Sequence, residues 1–96
     1  MKYLFHPEAE AEFRQAVEYY EKCEEGLGRD FALEVYSTIQ LVMLYPKAWP
    51  VVAEHLRRSL VRRFPYGIIY SEDGEEIFIL AVMDLHREPG YWVSRV

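Results

Sequence analysis

The spacing of the apolar residues changes once along this chain, near the prolines Pro46 and Pro50. Before them, apolar residues recur every three or four positions, which is the period of an α-helix. After them, apolar residues alternate or run together over short stretches, which is typical of β-strands. Helices in one half and strands in the other predict an α+β fold, with a helical hairpin packed on a sheet.

Two helices are predicted before the prolines. The first runs from Pro7 to about Glu25 and has one apolar stripe, formed by Ala9, Phe13, Ala16, Val17, Tyr20 and Cys23. Proline costs no hydrogen bond at a first helical position, and Gly26 is suited to the C-terminal cap. The second helix runs from about Gly28 to Tyr45 and ends at Pro46. Because the connection is so short, the two helices form an antiparallel hairpin.

The strands follow the order β-α-α-β-β-β. Lys2 to Phe5 predict a first strand, and Val51 to Ala53 predict a short edge strand. Three longer stretches predict a curved antiparallel meander: Leu56 to Phe64, Tyr66 to Tyr70 and Glu76 to Leu85. A turn over Ser71 to Glu75, with its Asp-Gly pair, joins the last two strands. Simple alternation places Ile77, Ile79, Ala81 and Met83 on one face of the last strand, and Phe78, Leu80 and Val82 on the other. Such a strand is apolar on both faces and is expected at the centre of the sheet.

Four arginines, Arg57, Arg58, Arg62 and Arg63, lie within an acid-free stretch from Leu56 to Tyr70. On one continuous strand, Arg58 and Arg62 share a face, and Arg57 and Arg63 share the other. Guanidinium groups bind phosphate or carboxylate through paired donors. The stretch therefore predicts either a site for an anionic partner or a solvated edge strand whose arginines pair with helix glutamates.

Composition narrows the class of protein. The 96 residues predict a single domain spanning residues 1–96. The longest apolar run, Ile77 to Met83, is far shorter than a membrane span, and the N-terminus does not resemble a signal peptide. The single cysteine, Cys23, favours a reducing, cytoplasmic setting. A pI near 5.2 argues against broad nucleic-acid binding but allows a local anion site. Neither a metal-ligand set nor a phosphate-binding glycine loop is present, so no cofactor is expected.

Three segments resemble the RelE/ParE superfamily, the toxins of type II toxin–antitoxin or plasmid stabilisation systems. They are Arg62-Arg63-Phe64-Pro65-Tyr66-Gly67-Ile68-Ile69-Tyr70, Ile77 to Met83, and His86-Arg87-Glu88-Pro89-Gly90-Tyr91-Trp92. The opening of the first predicted helix, Pro7 to Phe13, is also similar. One position departs from the pattern, because Asp84 stands where related sequences often carry histidine.

The resemblance implies candidate residues for RNA cleavage, in which a ribose 2′-OH attacks the adjacent phosphate. That reaction needs a proton acceptor, a cation and a proton donor. The candidate catalytic residues are Arg62, Arg63, Arg87, Tyr91 and His86, with Arg87 stabilising charge and His86 or Tyr91 moving protons. Candidates for binding substrate or antitoxin are Arg57, Arg58 and Tyr66. The alternative is structural: Tyr91 and Trp92 pack the tail on the sheet, and His86 is a surface residue.

The resemblance also implies a cognate antitoxin as partner and leaves the cellular target open. One activity is RelE-type cleavage of mRNA on the ribosome, an mRNA interferase. Another is ParE-type inhibition of DNA gyrase by binding, without catalysis. A third hypothesis is a degenerate, non-toxic module that only binds its antitoxin. The free toxin is expected to be a monomer or weak dimer and to form a larger complex with the antitoxin.

Overall fold

Two helices and five strands make up the fold, and the structure, a computed structural model, describes residues 1–96. The elements in chain order are β1 (Lys2–Phe5), α1 (Pro7–Cys23), α2 (Leu27–Leu44), β2 (Val51–Ala53), β3 (Leu56–Leu60), β4 (Tyr66–Asp73) and β5 (Glu76–Asp84), and a short 3-10 helix (Val93–Arg95) follows. The predicted α+β class is confirmed. No helix has the length and apolar character needed to cross a membrane.

The helical hairpin forms as predicted, but the expected role of Gly26 is wrong: Glu24 is the C-cap of α1, and Gly26, with φ 87°, is the N-cap of α2. The imidazole Nδ1 of His6 accepts a hydrogen bond from the backbone N–H of Glu8 at 3.1 Å and so caps α1. At the start of α2, the Glu21 carboxylate accepts from the N–H groups of Gly26 and Gly28 at 3.0 and 3.1 Å. A Cβ on Gly28 would lie 2.5 Å from the carbonyl oxygen of Val17, so glycine is required where the helices approach.

The sheet has the order β1-β5-β4-β3-β2. The predicted antiparallel meander is confirmed for β3, β4 and β5, and the short edge strand β2 pairs antiparallel with β3. The sheet as a whole is mixed, because β1 pairs in parallel with β5. A parallel pair needs a long crossover, and the helices together with the meander supply it. β5 is an interior strand, as its two apolar faces predict, with β1 on one side and β4 on the other; the middle strand of the five is β4.

A β-bulge on β5 overturns the predicted division of its faces. Tyr70 pairs with Ile79 but Ile69 pairs with Ala81, so Leu80 is an extra residue on β5. A bulge shifts the alternation by one position. Ile77, Ile79 and Val82 therefore pack under the helices, whereas Phe78, Leu80, Ala81 and Met83 face the opposite side.

The predicted strand from Leu56 to Phe64 is also shorter in the structure. β3 ends at Leu60, and Arg63 adopts a left-handed backbone with φ 71°. The expected sharing of faces between Arg58 and Arg62, and between Arg57 and Arg63, is therefore wrong, because the chain turns before either pair can form. In contrast, β4 runs three residues further than predicted, to Asp73, and shortens the hairpin turn.

The core has two parts, one on each face of the sheet. The larger lies beneath the helices and includes Phe31, Ile68 and Phe64. The smaller lies on the other face, where the C-terminal segment folds back and buries Trp92. The Trp92 indole N–H contacts the Met83 sulfur at 3.3 Å. The structural role predicted for Trp92 is thus confirmed.

Candidate functional site

The arginines of the acid-free stretch do not gather into one pocket. Arg57 donates from Nη1 to the backbone carbonyls of Trp49 at 2.7 Å and Lys47 at 3.3 Å, and so holds the loop before β2. Arg63 lies 3.7 Å from the Asp30 carboxylate and 3.9 Å from that of Glu34, both on α2. These exposed, long ion pairs contribute little to stability.

Arg58 and Arg62 are the two arginines of this stretch whose side chains have neither an ion pair nor a hydrogen bond within the chain. Arg62 is exposed in the loop after β3. Arg58 is half-buried, and its side-chain stem packs above Gly67. It lines a groove of about 350 Å³ on the face opposite the helices, together with Val52, Ala53, Met83, Pro89, Gly90, Trp92 and Val93. Arg58 is the one charged residue of that lining.

Two of the predicted catalytic residues do come together, on the C-terminal segment beside α1. The guanidinium carbon of Arg87 lies 3.7 Å from the centre of the Tyr91 ring, in a cation–π contact. The Tyr91 hydroxyl donates a hydrogen bond to Glu12 Oε2 at 2.8 Å, and Arg87 Nη1 lies 3.6 Å from the same oxygen. Both residues therefore meet at one carboxylate.

Glu12 is also the anchor of the C-terminus. Arg95 binds it with two hydrogen bonds, Nη1 to Oε1 at 2.9 Å and Nη2 to Oε2 at 3.0 Å. The backbone N–H of Val82 donates to Oε1 at 3.1 Å, and Arg95 donates to the carbonyl of Leu80 at 2.9 Å. The side chain of Glu12 is 15% exposed and that of Arg95 is 9% exposed. The pair is thus a desolvated, charge-assisted fork.

The bulge explains why this pair lies here. β1 ends at Phe5, opposite Ile79, so β5 continues beyond its neighbour with an open edge. Because of the bulge, the carbonyl of Leu80 and the N–H of Val82 both lie at that open edge. Buried backbone groups need partners, and Glu12 and Arg95 supply them in place of a strand.

His86 and Tyr66 lie around this cluster without joining its hydrogen bonds. The His86 Nδ1 atom is 3.0 Å from Asp84 Oδ1, and its side chain is 79% exposed. Tyr66 lines a groove of about 210 Å³ whose charged members are Glu12, Asp84 and Arg87. The lining therefore has two carboxylates and one guanidinium.

Two residues of the cluster, Glu12 and Arg95, were not predicted as site residues. Glu12 could have been predicted from the sequence, because it lies three residues after Ala9 and four before Ala16, on the buried side of α1. A glutamate in that position needs a partner. Arg95 carries no such signal, because the packing of Tyr91 and Trp92 on the sheet predicts that the tail folds back but not which side chain reaches Glu12. No group of three or more His, Cys, Asp or Glu side chains is placed to hold a metal ion.

Comparison with known proteins identifies the family. Residues 3–89 match the family model described as "ParE toxin of type II toxin-antitoxin system, parDE". The chain belongs to the ParE toxin family. No curated protein matches it with comparable significance. A chain of the solved "Chromosomal ParDE TA system from P. aeruginosa" shares the fold, with a TM-score of 0.62 and 20% identity, over 88% of this chain and 96% of that one.

In this ParE-family toxin, the polar side chains of the cluster already have partners within the chain: Tyr91, Arg87 and Arg95 all contact Glu12. Burial, and then donation to Glu12, raise the pKa of Tyr91 well above its ordinary value. Burial, with a smaller contribution from the Asp84 carboxylate, raises the pKa of Tyr66 to about 12. Both phenols therefore stay protonated near neutral pH and are poor proton acceptors. Arg87 and Arg95 already have a carboxylate in reach.

Proposed function

We propose that this ParE-family toxin inhibits DNA gyrase by binding it, with no catalytic step of its own, and that a cognate antitoxin neutralises it. The observation that carries the proposal is the engagement of Tyr91 and Arg87 with Glu12. A ribonuclease would need a proton acceptor and a free cation at that point. Membership of the ParE family favours the same choice over RelE-type cleavage of mRNA.

The charges of the groove beside the cluster support a binding role rather than phosphate chemistry. Its lining holds two carboxylates, Glu12 and Asp84, and one guanidinium, Arg87. Arg95 binds Glu12 from outside this lining and balances its charge. The groove therefore offers a phosphate no excess of positive charge. Action as a single domain over residues 1–96, a cytoplasmic location and a role in plasmid stabilisation stay predictions.

Growth arrest by the variants Tyr91→Phe and His86→Ala distinguishes inhibition of gyrase by binding from cleavage of mRNA. If either side chain moved a proton in catalysis, its loss would lower activity about a hundredfold or more. Because we propose binding only, we expect both variants to arrest growth as the unmodified chain does. Tyr91→Phe removes one hydrogen bond to Glu12, so its thermal midpoint is measured alongside. His86→Ala alters an exposed side chain and serves as the variant without a folding cost.

Purified toxin is then added to DNA gyrase, and supercoiling of a relaxed plasmid is followed with and without antitoxin. We expect loss of supercoiling by toxin alone and recovery with antitoxin. RNA from arrested cells is mapped for new 5′ ends in parallel. Unchanged supercoiling together with new 5′ ends that disappear in Tyr91→Phe would overturn the proposal in favour of an mRNA interferase. Growth unaffected by the toxin would favour the non-toxic module.

We infer that the antitoxin places an acidic residue on Arg58. The guanidinium of Arg58 has no carboxylate partner within the chain and lies beside a groove with an otherwise apolar or uncharged lining. An extended antitoxin segment with a carboxylate next to apolar side chains fits both features. Arg57 is unavailable for this role because its guanidinium is held by backbone carbonyls.

Arg58→Glu is expected to weaken antitoxin binding at least tenfold, because a charge pair formed in a partly buried groove is lost and reversed. Arg62→Glu is the matched control, since it changes the net charge equally but at an exposed position. Binding is measured by titration calorimetry with purified antitoxin. If both substitutions weakened antitoxin binding equally, only the net charge of the toxin would affect the affinity, and the antitoxin would not contact the groove at Arg58.

A further inference from the structure

The groove between α1 and the C-terminal segment contains a carboxylate that no arginine or lysine of the chain neutralises. Asp84 lies in its lining with a side chain that is 38% exposed. The Asp84 Oδ1 atom accepts the backbone N–H of His86 at 2.9 Å and lies 3.0 Å from His86 Nδ1. The Oδ2 atom has no hydrogen-bond partner in the chain, so it is open to a donor from outside.

The size and walls of the groove suit a single side chain of a partner. Its volume is about 210 Å³, below the about 300 Å³ at which pockets for small molecules begin. Tyr19 of α1 lies in the same lining, is 62% exposed, and forms no cation–π contact within the chain. The face of an aromatic ring attracts a cation. Asp84 and Tyr19 therefore offer a positively charged side chain both a carboxylate and a ring.

The pKa values of nearby tyrosines show that Asp84 makes the potential in the groove negative. Burial raises the pKa of Tyr66 to about 12, and the Asp84 carboxylate adds to the rise. Burial and then Asp84 likewise raise the pKa of Tyr20. The pKa of Tyr19 is raised chiefly by its neighbour Cys23, and Asp84 contributes there too. A potential that opposes the formation of a phenolate favours a cation at the same place.

Arg87 shows within the same groove how such a contact is made. Its guanidinium carbon lies over the Tyr91 ring at 3.7 Å from the ring centre, and its Nη1 atom is 3.6 Å from Glu12 Oε2. One guanidinium thus contacts a ring and a carboxylate together, which its flat, delocalised charge allows. Tyr19 and Asp84 present the same two features and have no guanidinium between them.

We propose that this groove receives an arginine side chain of DNA gyrase, with its guanidinium paired to Asp84 and lying against the Tyr19 ring. This contact rests on the proposed inhibition of gyrase and gives that inhibition a chemical basis. Gyrase binds DNA, and surfaces that bind DNA present arginine and lysine to the phosphates. A carboxylate of the toxin can take the place of a phosphate there. α1, which forms one wall of the groove, carries five glutamates and two basic residues, so its field attracts such a surface.

The antitoxin is not the expected occupant, because its charge has the wrong sign for this groove. The antitoxin segment inferred above brings a carboxylate to Arg58, in a groove that shares no lining residue with this one. Asp84 would repel that acidic segment, and Arg58 would repel an arginine. The two grooves therefore select partners of opposite charge.

Asp84→Asn tests the pairing, since the substitution keeps the shape of the side chain and removes its charge. Purified toxin is titrated into a supercoiling reaction with DNA gyrase, and the concentration that halves supercoiling is measured. We expect that concentration to rise about tenfold or more, because a charge pair in a partly buried groove is lost. Glu88→Gln is the matched control: it removes an exposed carboxylate outside the groove and is expected to leave inhibition unchanged.

Two substitutions at Tyr19 test the role of the ring. Tyr19→Ala removes the ring and is expected to weaken inhibition about two- to fivefold, the effect of a cation–π contact at an exposed site. Tyr19→Phe keeps the ring and removes only the hydroxyl, and it is expected to inhibit as the unmodified toxin does. Antitoxin binding by each variant, measured by titration calorimetry, is expected to stay unchanged and shows that the variants are folded.

The outcomes separate a failure of this contact from a failure of the proposed function. If Asp84→Asn inhibits gyrase as strongly as the unmodified toxin, or if Glu88→Gln weakens inhibition as much as Asp84→Asn, the contact is wrong and the inhibition of gyrase stands. If the unmodified toxin leaves supercoiling unchanged, both are wrong. If Asp84→Asn weakens antitoxin binding but not inhibition, the antitoxin occupies the groove and the contact with gyrase is wrong.

Discussion

Glu12→Ala is expected to lower the free energy of unfolding by about 3–5 kcal/mol, the cost of breaking a buried ion pair from one side. The substitution leaves the Arg95 guanidinium, the Tyr91 hydroxyl and the Val82 N–H without their acceptor. Each is partly or fully removed from water, so none regains full hydration. For a chain of this length, the loss corresponds to a fall of more than about 10 °C in the thermal midpoint.

Glu8→Ala is the matched control for that result. Glu8 lies one helical turn before Glu12 and contacts the same arginine, with its Oε2 atom 3.4 Å from Arg95 Nε. Its side chain is 66% exposed, and exposed ion pairs contribute between 0 and about 1 kcal/mol. Measured by urea unfolding, the loss of unfolding free energy should therefore be several times larger for Glu12→Ala than for Glu8→Ala. A loss below about 1 kcal/mol for Glu12→Ala would mean that the C-terminal segment is not held by this carboxylate.

The helices were predictable because their signals are local. The stripe of α1, the proline at its first position and the stop at Pro46 all act within a few residues. The positions of the strands were predictable for the same reason, although the predicted order β-α-α-β-β-β has four strands and the structure has five, because the short edge strand β2 is added to it. What alternation could not anticipate was the bulge at Leu80, because a bulge depends on the register with β4 and not on the residues of β5 alone.

The candidate site was predictable only in part, for a related reason. Arg87 and Tyr91 lie four residues apart on one segment, so their contact is local, and the structure brings them together. Arg62 and Arg63 were assigned to a continuous strand, yet the chain turns after Leu60 and removes them from that segment. The partners that decide the chemistry of Tyr91 come from distant parts of the sequence. No local pattern connects Glu12 to a residue 79 positions later.

The aromatic residues of the motif that suggested the family are held by packing, and Phe31 of α2 is the centre of that packing. Its ring is fully buried and lies 5.1 Å from that of Phe64 and 4.9 Å from that of Tyr66, measured between centroids. On the other side it contacts Tyr20 of α1 at 5.2 Å. Phe31 therefore joins both helices to the loop and strand that carry the motif.

Phe31→Ala is expected to cost about 3–5 kcal/mol of unfolding free energy, because it removes a fully buried ring and leaves a cavity between three aromatic neighbours. Tyr19→Ala is the control: it removes an aromatic ring of α1 that is 62% exposed, and its effect should stay within about 0.5 kcal/mol. Both are measured by urea unfolding. If Phe31→Ala were as mild as the control, Phe64 and Tyr66 would not need the helices for their placement. The large loss we expect would mean that Phe64 and Tyr66 of the family motif serve the core and are not presented to a partner.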